Sequence, residues 1–195
     1  DQFYYSPPPG NPLLTILFPS RIIQTKGVME FIASASFCRS TLKDQVRFIL
    51  AGRIDPYNPA HITAAGLMEK MEPGYLEWIG FSENIQRLMQ ESGIIVLPSY
   101  REGLPKVVVE AALNARPIIR TDSHGCRECV QDGYNGFLVP VKSPEAITAK
   151  IKVLAADAQL REQMGRNSRL LAEQEFSQDK VKEQLLKVYD ASLKR

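Results

Sequence analysis

Seven residues separate Glu102 from Glu110 in the stretch Ser99-Tyr-Arg-Glu-Gly-Leu-Pro-Lys-Val-Val-Val-Glu110. Ahead of them the apolar run Ile94-Ile-Val-Leu97 ends in Pro98-Ser99 and reads as a buried strand feeding a loop. Gly103 lets that loop turn. Pro105, with its fixed φ and no N–H, suits the first position of a helix that Val107-Val-Val-Glu-Ala-Ala-Leu113 continues. The amides of Leu104, Lys106 and Val107 then have no intrahelical partner. An anion at the loop mouth satisfies them and meets the positive end of the helix dipole, and a phosphate fits that description. An ionised Glu is an acceptor for vicinal hydroxyls, which sugars and riboses supply. Glu110 lies roughly 8 Å along the helix at ~1.5 Å per residue. That separation leaves room for a diphosphate between the two acids, with Glu102 on a sugar and Glu110 on a ribose.

A second group of candidates comes earlier. Ser20-Arg-Ile-Ile-Gln-Thr-Lys-Gly27 falls where a first strand gives way to a first helix, the end of a parallel sheet that gathers ligands. Arg21 offers paired N–H donors and Lys26 a point charge, and both types suit a diphosphate. Gly52 and Gly80-Phe81 close two further strands and let the backbone come near a flat base.

Together these residues resemble the retaining, nucleotide-sugar-dependent glycosyltransferases of the GT-B fold, specifically the large family four, over essentially the whole chain. The resemblance implies that Glu102 contacts donor-sugar hydroxyls and Glu110 the nucleotide ribose. It also implies that the backbone around Gly103, Leu104, Pro105 and Lys106 holds the diphosphate, while Arg21 and Lys26 offset charge on the departing group. Gly52 and the loop Ile79-Gly-Phe-Ser82, with Phe81, would meet the base. His124-Gly-Cys-Arg-Glu128 is similar to the Gly-x-x-Glu loop of family members from bacterial surface-polysaccharide assembly. Lys106 departs from the commoner apolar residue after the proline. The family uses no metal, and its donor is a nucleoside-diphosphate sugar, with UDP preferred here on resemblance alone. The acceptor, a sugar or a lipid-linked oligosaccharide, belongs to an N-terminal domain that this chain does not contain, so the fragment alone is expected to be inactive.

Composition narrows the field independently. With 195 residues, 44% of them hydrophobic, the chain can bury a single core. A formal charge of only +2 and no long basic run give no electrostatic footprint for nucleic acid. Three cysteines, Cys38, Cys126 and Cys129, form no even disulfide framework and favour a reducing cytosol. His124, Cys126 and Cys129 lack the fourth ligand of a structural zinc site. No apolar stretch approaches the ~20 residues of a membrane span, so the expected location is cytoplasmic, with docking at the inner membrane face left open. Neither a Gly-x-Gly-x-x-Gly fingerprint nor a Gly-Lys-Ser/Thr phosphate loop occurs, which removes the main rivals among parallel-sheet proteins.

The elements that must position these residues alternate. Residues 1–12, with four prolines, read as an extended interdomain connector, and residues 13–195 as one nucleotide-sugar-binding domain. Strands are expected at 13–18, 46–51, 75–79, 94–97, 117–121 and 137–141. Helices are expected at 27–42, 59–72 and 84–91 and after Pro105, and the almost wholly helical composition of the last third, entered at Ser143, divides into one helix with the stripe Ile147, Ile151 and Leu154, a second with Leu170, Leu171 and Phe176, and a third with Val181, Leu185, Val188 and Tyr189. The class is α/β: a doubly wound, Rossmann-like parallel sheet of about six strands with C-terminal helices, one half of a GT-B fold. Three alternatives remain at this level: a nucleotide-sugar-binding module without catalysis, a sugar-nucleotide epimerase of related fold, and a pure interaction domain.

Overall fold

The computed structural model describes residues 13–103, 106–123, 129–176 and 182. The connector at 1–12, the pair Leu104-Pro105, the His124–Glu128 loop and the expected last helix with Val181, Leu185, Val188 and Tyr189 lie outside them.

Six strands form one sheet in the order β3-β2-β1-β4-β5-β6, and every pair is parallel. They are β1 (Leu14–Pro19), β2 (Val46–Ala51), β3 (Leu76–Trp78), β4 (Ile94–Leu97), β5 (Ile118–Thr121) and β6 (Gly136–Val139). β2 and β4 fall where the apolar runs place them. Buried on both faces, these strands need continuous rather than alternating hydrophobicity, and β4 is buried at every position. Helices α1 (Val28–Leu42) and α5 (Pro144–Ala156) pack together on one face. On the other, α4 (Lys106–Leu113) packs with α6 (Ala158–Phe176). The short α2 (Ala64–Met68) and α3 (Ile85–Gln90) add Leu67 and Met89 to the two cores.

On the α1 side a line of rings runs from Phe18 through Phe31 and Phe48 to Tyr75. Successive centroids are 5.4, 5.5 and 5.5 Å apart. Phe31 is fully buried between two of these neighbours. Phe31→Ala should therefore lower stability by about 3–5 kcal/mol, read as a fall in the urea midpoint with little change in slope.

One helical expectation needs correction. Within 59–72 only Ala64–Met68 is helical, capped by Thr63, whose side chain accepts from the Gly66 N–H at 3.2 Å. The residues before it serve a long-range purpose. Ile54 and His61 bridge to Ile22 and Ile23, and the Gln24 N–H donates to the Ala60 carbonyl at 2.8 Å. The expected division between the helix of Ile147, Ile151 and Leu154 and that of Leu170, Leu171 and Phe176 falls at Asp157, which is extended (φ −124°, ψ 98°) and caps α6 by accepting from the Leu160 N–H at 2.9 Å. The expected inward stripe of Ile147, Ile151 and Leu154 is fully buried.

Among the described residues, no helix is long and apolar enough to cross a membrane.

Candidate functional site

β1 has β2 on one side and β4 on the other, so the helices that follow β1 and β4 leave toward opposite faces of the sheet. The crevice at the carboxyl ends of those two strands is the topological switch point where open α/β sheets bind ligands.

The loop after β1 passes through a short 3-10 turn, Gln24–Lys26, to Gly27 at φ 77°. Gly27 lies so close to the β4 loop that a Cβ there would sit 2.1 Å from the Pro98 carbonyl oxygen. The Tyr100 N–H donates to the Thr25 carbonyl at 2.9 Å, and the Thr121 hydroxyl donates to the Ser99 carbonyl. The ends of β1, β4 and β5 are thus tied into one rim.

On that rim two expected site residues meet. The Lys26 ammonium is ion-paired with Glu102 Oε1, which also accepts from Ser99 Oγ at 2.9 Å. Both side chains are largely withdrawn from solvent, at 20% and 6% exposure. Glu102 Oε2 is buried and takes no hydrogen bond among the described residues. A carboxylate oxygen left open in a buried position costs about 1–3 kcal/mol or more, which marks it as an acceptor awaiting a donor. Glu110, in α4, is also mostly buried and pairs with Lys106 across one helical turn at 3.4 Å, with Lys106 itself reaching into water. The departure from the family pattern at Lys106 thus supplies a cation to the second glutamate.

The remaining expected residues gather beside this rim. Arg21, Gly52 and Phe81 line a cavity of about 480 Å³ with Ser20, Arg53 and Ser82. Arg21 is exposed and donates from Nη1 to Asp55 at 3.3 Å. A side chain on Gly52 would sit 1.8 Å from the Ser20 carbonyl oxygen. The Gly52 N–H already donates to Gly80 at 2.7 Å, and its carbonyl accepts from the Trp78 indole at 2.9 Å. The glycine thus joins two loops, with its own polar groups used internally. Phe81 is 55% exposed, and its N–H and C=O make no hydrogen bond among the described residues. The structure therefore groups Lys26 with Glu102, and Arg21 with Gly52 and Phe81. Gly103 is exposed at the loop leading to α4, while Leu104 and Pro105 lie outside the described residues.

Three groups escaped the sequence. Arg53 lies over the Phe81 ring with Cζ 4.0 Å from its centroid, and Asp55 orients Arg21. Tyr100 donates from its hydroxyl to Glu30 Oε1 at 2.6 Å, which pins the β4 loop to α1. Burial, with the Glu30 hydrogen bond second, pushes the Tyr100 phenol up to about 12. The only local signal for Tyr100 was its place two residues before Glu102.

Cys129 is buried, and His124 and Cys126 lie outside the described residues. Among the described residues, no three His, Cys, Asp or Glu side chains gather as a metal site.

The chain is a doubly wound parallel α/β domain with the Lys26–Glu102 ion pair at its switch point. Residues 8–171 match the family described as Glycosyl transferases group 1, and the chain belongs to it. It is 32% identical over 179 residues, 92% of its length, to the N,N'-diacetylbacillosaminyl-diphospho-undecaprenol alpha-1,3-N-acetylgalactosaminyltransferase of Campylobacter jejuni, covering 45% of that protein. With the capsular polysaccharide biosynthesis glycosyltransferase CapM of Staphylococcus aureus it shares 29% identity over 94% of this chain and 48% of that one. The chain thus spans about half the length of these relatives. Among solved structures, HepE of Anabaena, in complex with UDP, superposes with a TM-score of 0.83 at 22% identity over 92% of this chain and 49% of that one. The C-terminal domain of the group 1 glycosyl transferase LpcC from Francisella tularensis gives 0.78 at 25% identity, covering 91% of this chain and 97% of that domain. Both likenesses bear out the expected fold class.

Proposed function

We propose that this chain is the donor-binding domain of a retaining glycosyltransferase, acting in bacterial surface-polysaccharide or glycolipid assembly. In this reading residues 1–12 are a connector and residues 13–195 hold a nucleoside-diphosphate sugar, while a separate acceptor domain brings a sugar or lipid-linked oligosaccharide, at the cytoplasmic membrane face, to the anomeric carbon. The observation that carries it is the Lys26–Glu102 pair at the switch point, with one Glu102 oxygen buried and unused.

Each group then has work that its present partner only stands in for. A diphosphate draws Lys26 from Glu102, and Arg21 from Asp55, as negative charge builds on the leaving group. Glu102 turns its open oxygen to sugar hydroxyls, and Glu110 exchanges Lys106 for ribose hydroxyls. The first-turn amides of α4 complete the anion cradle. No metal is assigned a role, and UDP is the preferred carrier on the family resemblance.

Calorimetric titration of the chain with UDP, GDP and ADP tests this. Binding of one diphosphate at millimolar strength or tighter is expected, weakened about tenfold or more by Glu110→Ala through loss of a charge-assisted hydrogen bond. Heat from none of the three would leave an interaction domain as the better description. Donor binding without donor hydrolysis by the longer protein would instead favour an inactive binding module.

A further inference from the structure

The cavity beside β1 and β2 contains a cation that no ion pair among the described residues consumes. Arg53 is exposed, and among the described residues no carboxylate pairs with it; Asp55, two positions on, holds Arg21. Arg53 instead lies against the face of Phe81, 4.0 Å from the ring centroid. Of the backbone there, the Gly52 N–H and C=O are already engaged, and the Phe81 amide is open.

An open amide cannot choose between bases. It offers one donor and one acceptor, so it pairs with the carbonyl and ring N–H of uracil. It pairs equally, in reversed order, with the ring nitrogen and amino group of cytosine. Arg53 breaks that symmetry. Its guanidinium has five donors, no acceptor and a permanent charge, so it welcomes a carbonyl oxygen and opposes an exocyclic amino group.

We infer that Arg53 selects the base of the donor nucleotide: stacked on Phe81 at the cavity wall, it favours a carbonyl-bearing edge, uracil or guanine, over the amino-bearing edges of cytosine and adenine. This deepens the donor-binding reading and rests on it. Arg is also the side chain that reads carbonyl acceptors of guanine in nucleic acids, by the same donor-only chemistry.

The test compares UDP with CDP, which share ribose, diphosphate and ring size and differ only at the base edge. The chain should bind UDP at least about tenfold more tightly than CDP, the scale of one hydrogen bond to a charged group. Arg53→Met keeps apolar bulk on the Phe81 face and removes every donor. It should weaken UDP about tenfold, leave CDP within about twofold, and so erase the preference. Arg53 is exposed, so the melting temperature should not move. Equal binding of the two nucleotides by the wild-type chain overturns the inference, as does a variant that keeps the preference. Equal weakening of both would make Arg53 a phosphate contact and overturn it as well. No heat with either nucleotide removes the nucleotide site itself, whereas UDP binding with an unaltered preference removes only the role of Arg53.

Discussion

Gly27→Ala should be among the most damaging single-methyl changes available to this chain, lowering the melting temperature by roughly 6–12 °C. Two costs add. The residue holds φ 77°, which costs an L side chain about 1 kcal/mol. The new methyl would also sit 2.1 Å from the Pro98 carbonyl oxygen and 2.7 Å from its carbon. Both atoms are backbone, so relief comes only from parting the β1 loop from the β4 loop. A total on the order of 3 kcal/mol gives the stated shift for a domain of this size. Gly74→Ala is the control, because it shares the left-handed conformation at φ 80° but has nothing within 4 Å of the new methyl. It should cost about 1 kcal/mol or less. If both variants melt together, the close approach at Pro98 is not what Gly27 serves. If Gly27→Ala alone falls, the fall measures how firmly the two site loops are joined, and nucleotide affinity should drop with it because Lys26 precedes Gly27 directly.

What could be read from the sequence divides along one physical line. Features set by neighbours in the chain were legible. β2 and β4 are unbroken apolar runs closed by Gly52 and Pro98, and their observed bounds match the expected ones. The α5 start at Ser143-Pro144 is likewise a local signal, with Ser143 accepting from the Ala146 N–H. The division between α5 and α6 is legible from their separate apolar stripes, and Asp157, an N-cap residue three positions before Leu160, fixes where it falls within helix-forming composition on both sides. Features set by sheet order were not legible. The residues before α2 leave the helix because they pair with the β1 loop across thirty residues or more of chain. Lys26 and Glu102 were each named as site residues, but their partnership depends on β1 lying next to β4. Arg53 gained significance only when β2 and β3 paired and brought Phe81 beneath it. Glu30 and Tyr100 likewise meet only because α1 returns beside the β4 loop.

Breaking the Lys26–Glu102 pair from the two sides should give unequal results. Lys26→Met strands a carboxylate that is 6% exposed and already has one oxygen without a partner. The removal of one member of a buried ion pair costs about 3 kcal/mol or more, because the survivor keeps its charge without compensation. Glu102→Gln leaves Lys26, at 20% exposure, an amide oxygen to donate to and some access to water. It should cost about 1 kcal/mol. The double variant Lys26→Met, Glu102→Gln removes both charges, so it should recover much of the loss and yield a coupling of about 1–3 kcal/mol from urea midpoints. Salt separates this pair from a surface one. Half-molar sodium chloride should leave that coupling nearly intact. The coupling of the Arg21–Asp55 pair, with side chains 58% and 30% exposed, starts within about 1 kcal/mol and should fade. Additive single variants, or a coupling that vanishes in salt, would show that the two charges do not depend on each other. A persistent coupling gives the pair a definite meaning for donor binding. In the proposed donor-binding reading, Lys26 and Glu102 hold each other in place, and a diphosphate sugar enters by offering each a better partner, phosphate oxygens to the ammonium and hydroxyls to the carboxylate. Both single variants should then bind UDP more weakly than the wild-type chain, and Glu102→Gln should lose still more affinity for a UDP-sugar, which adds the hydroxyls that UDP lacks.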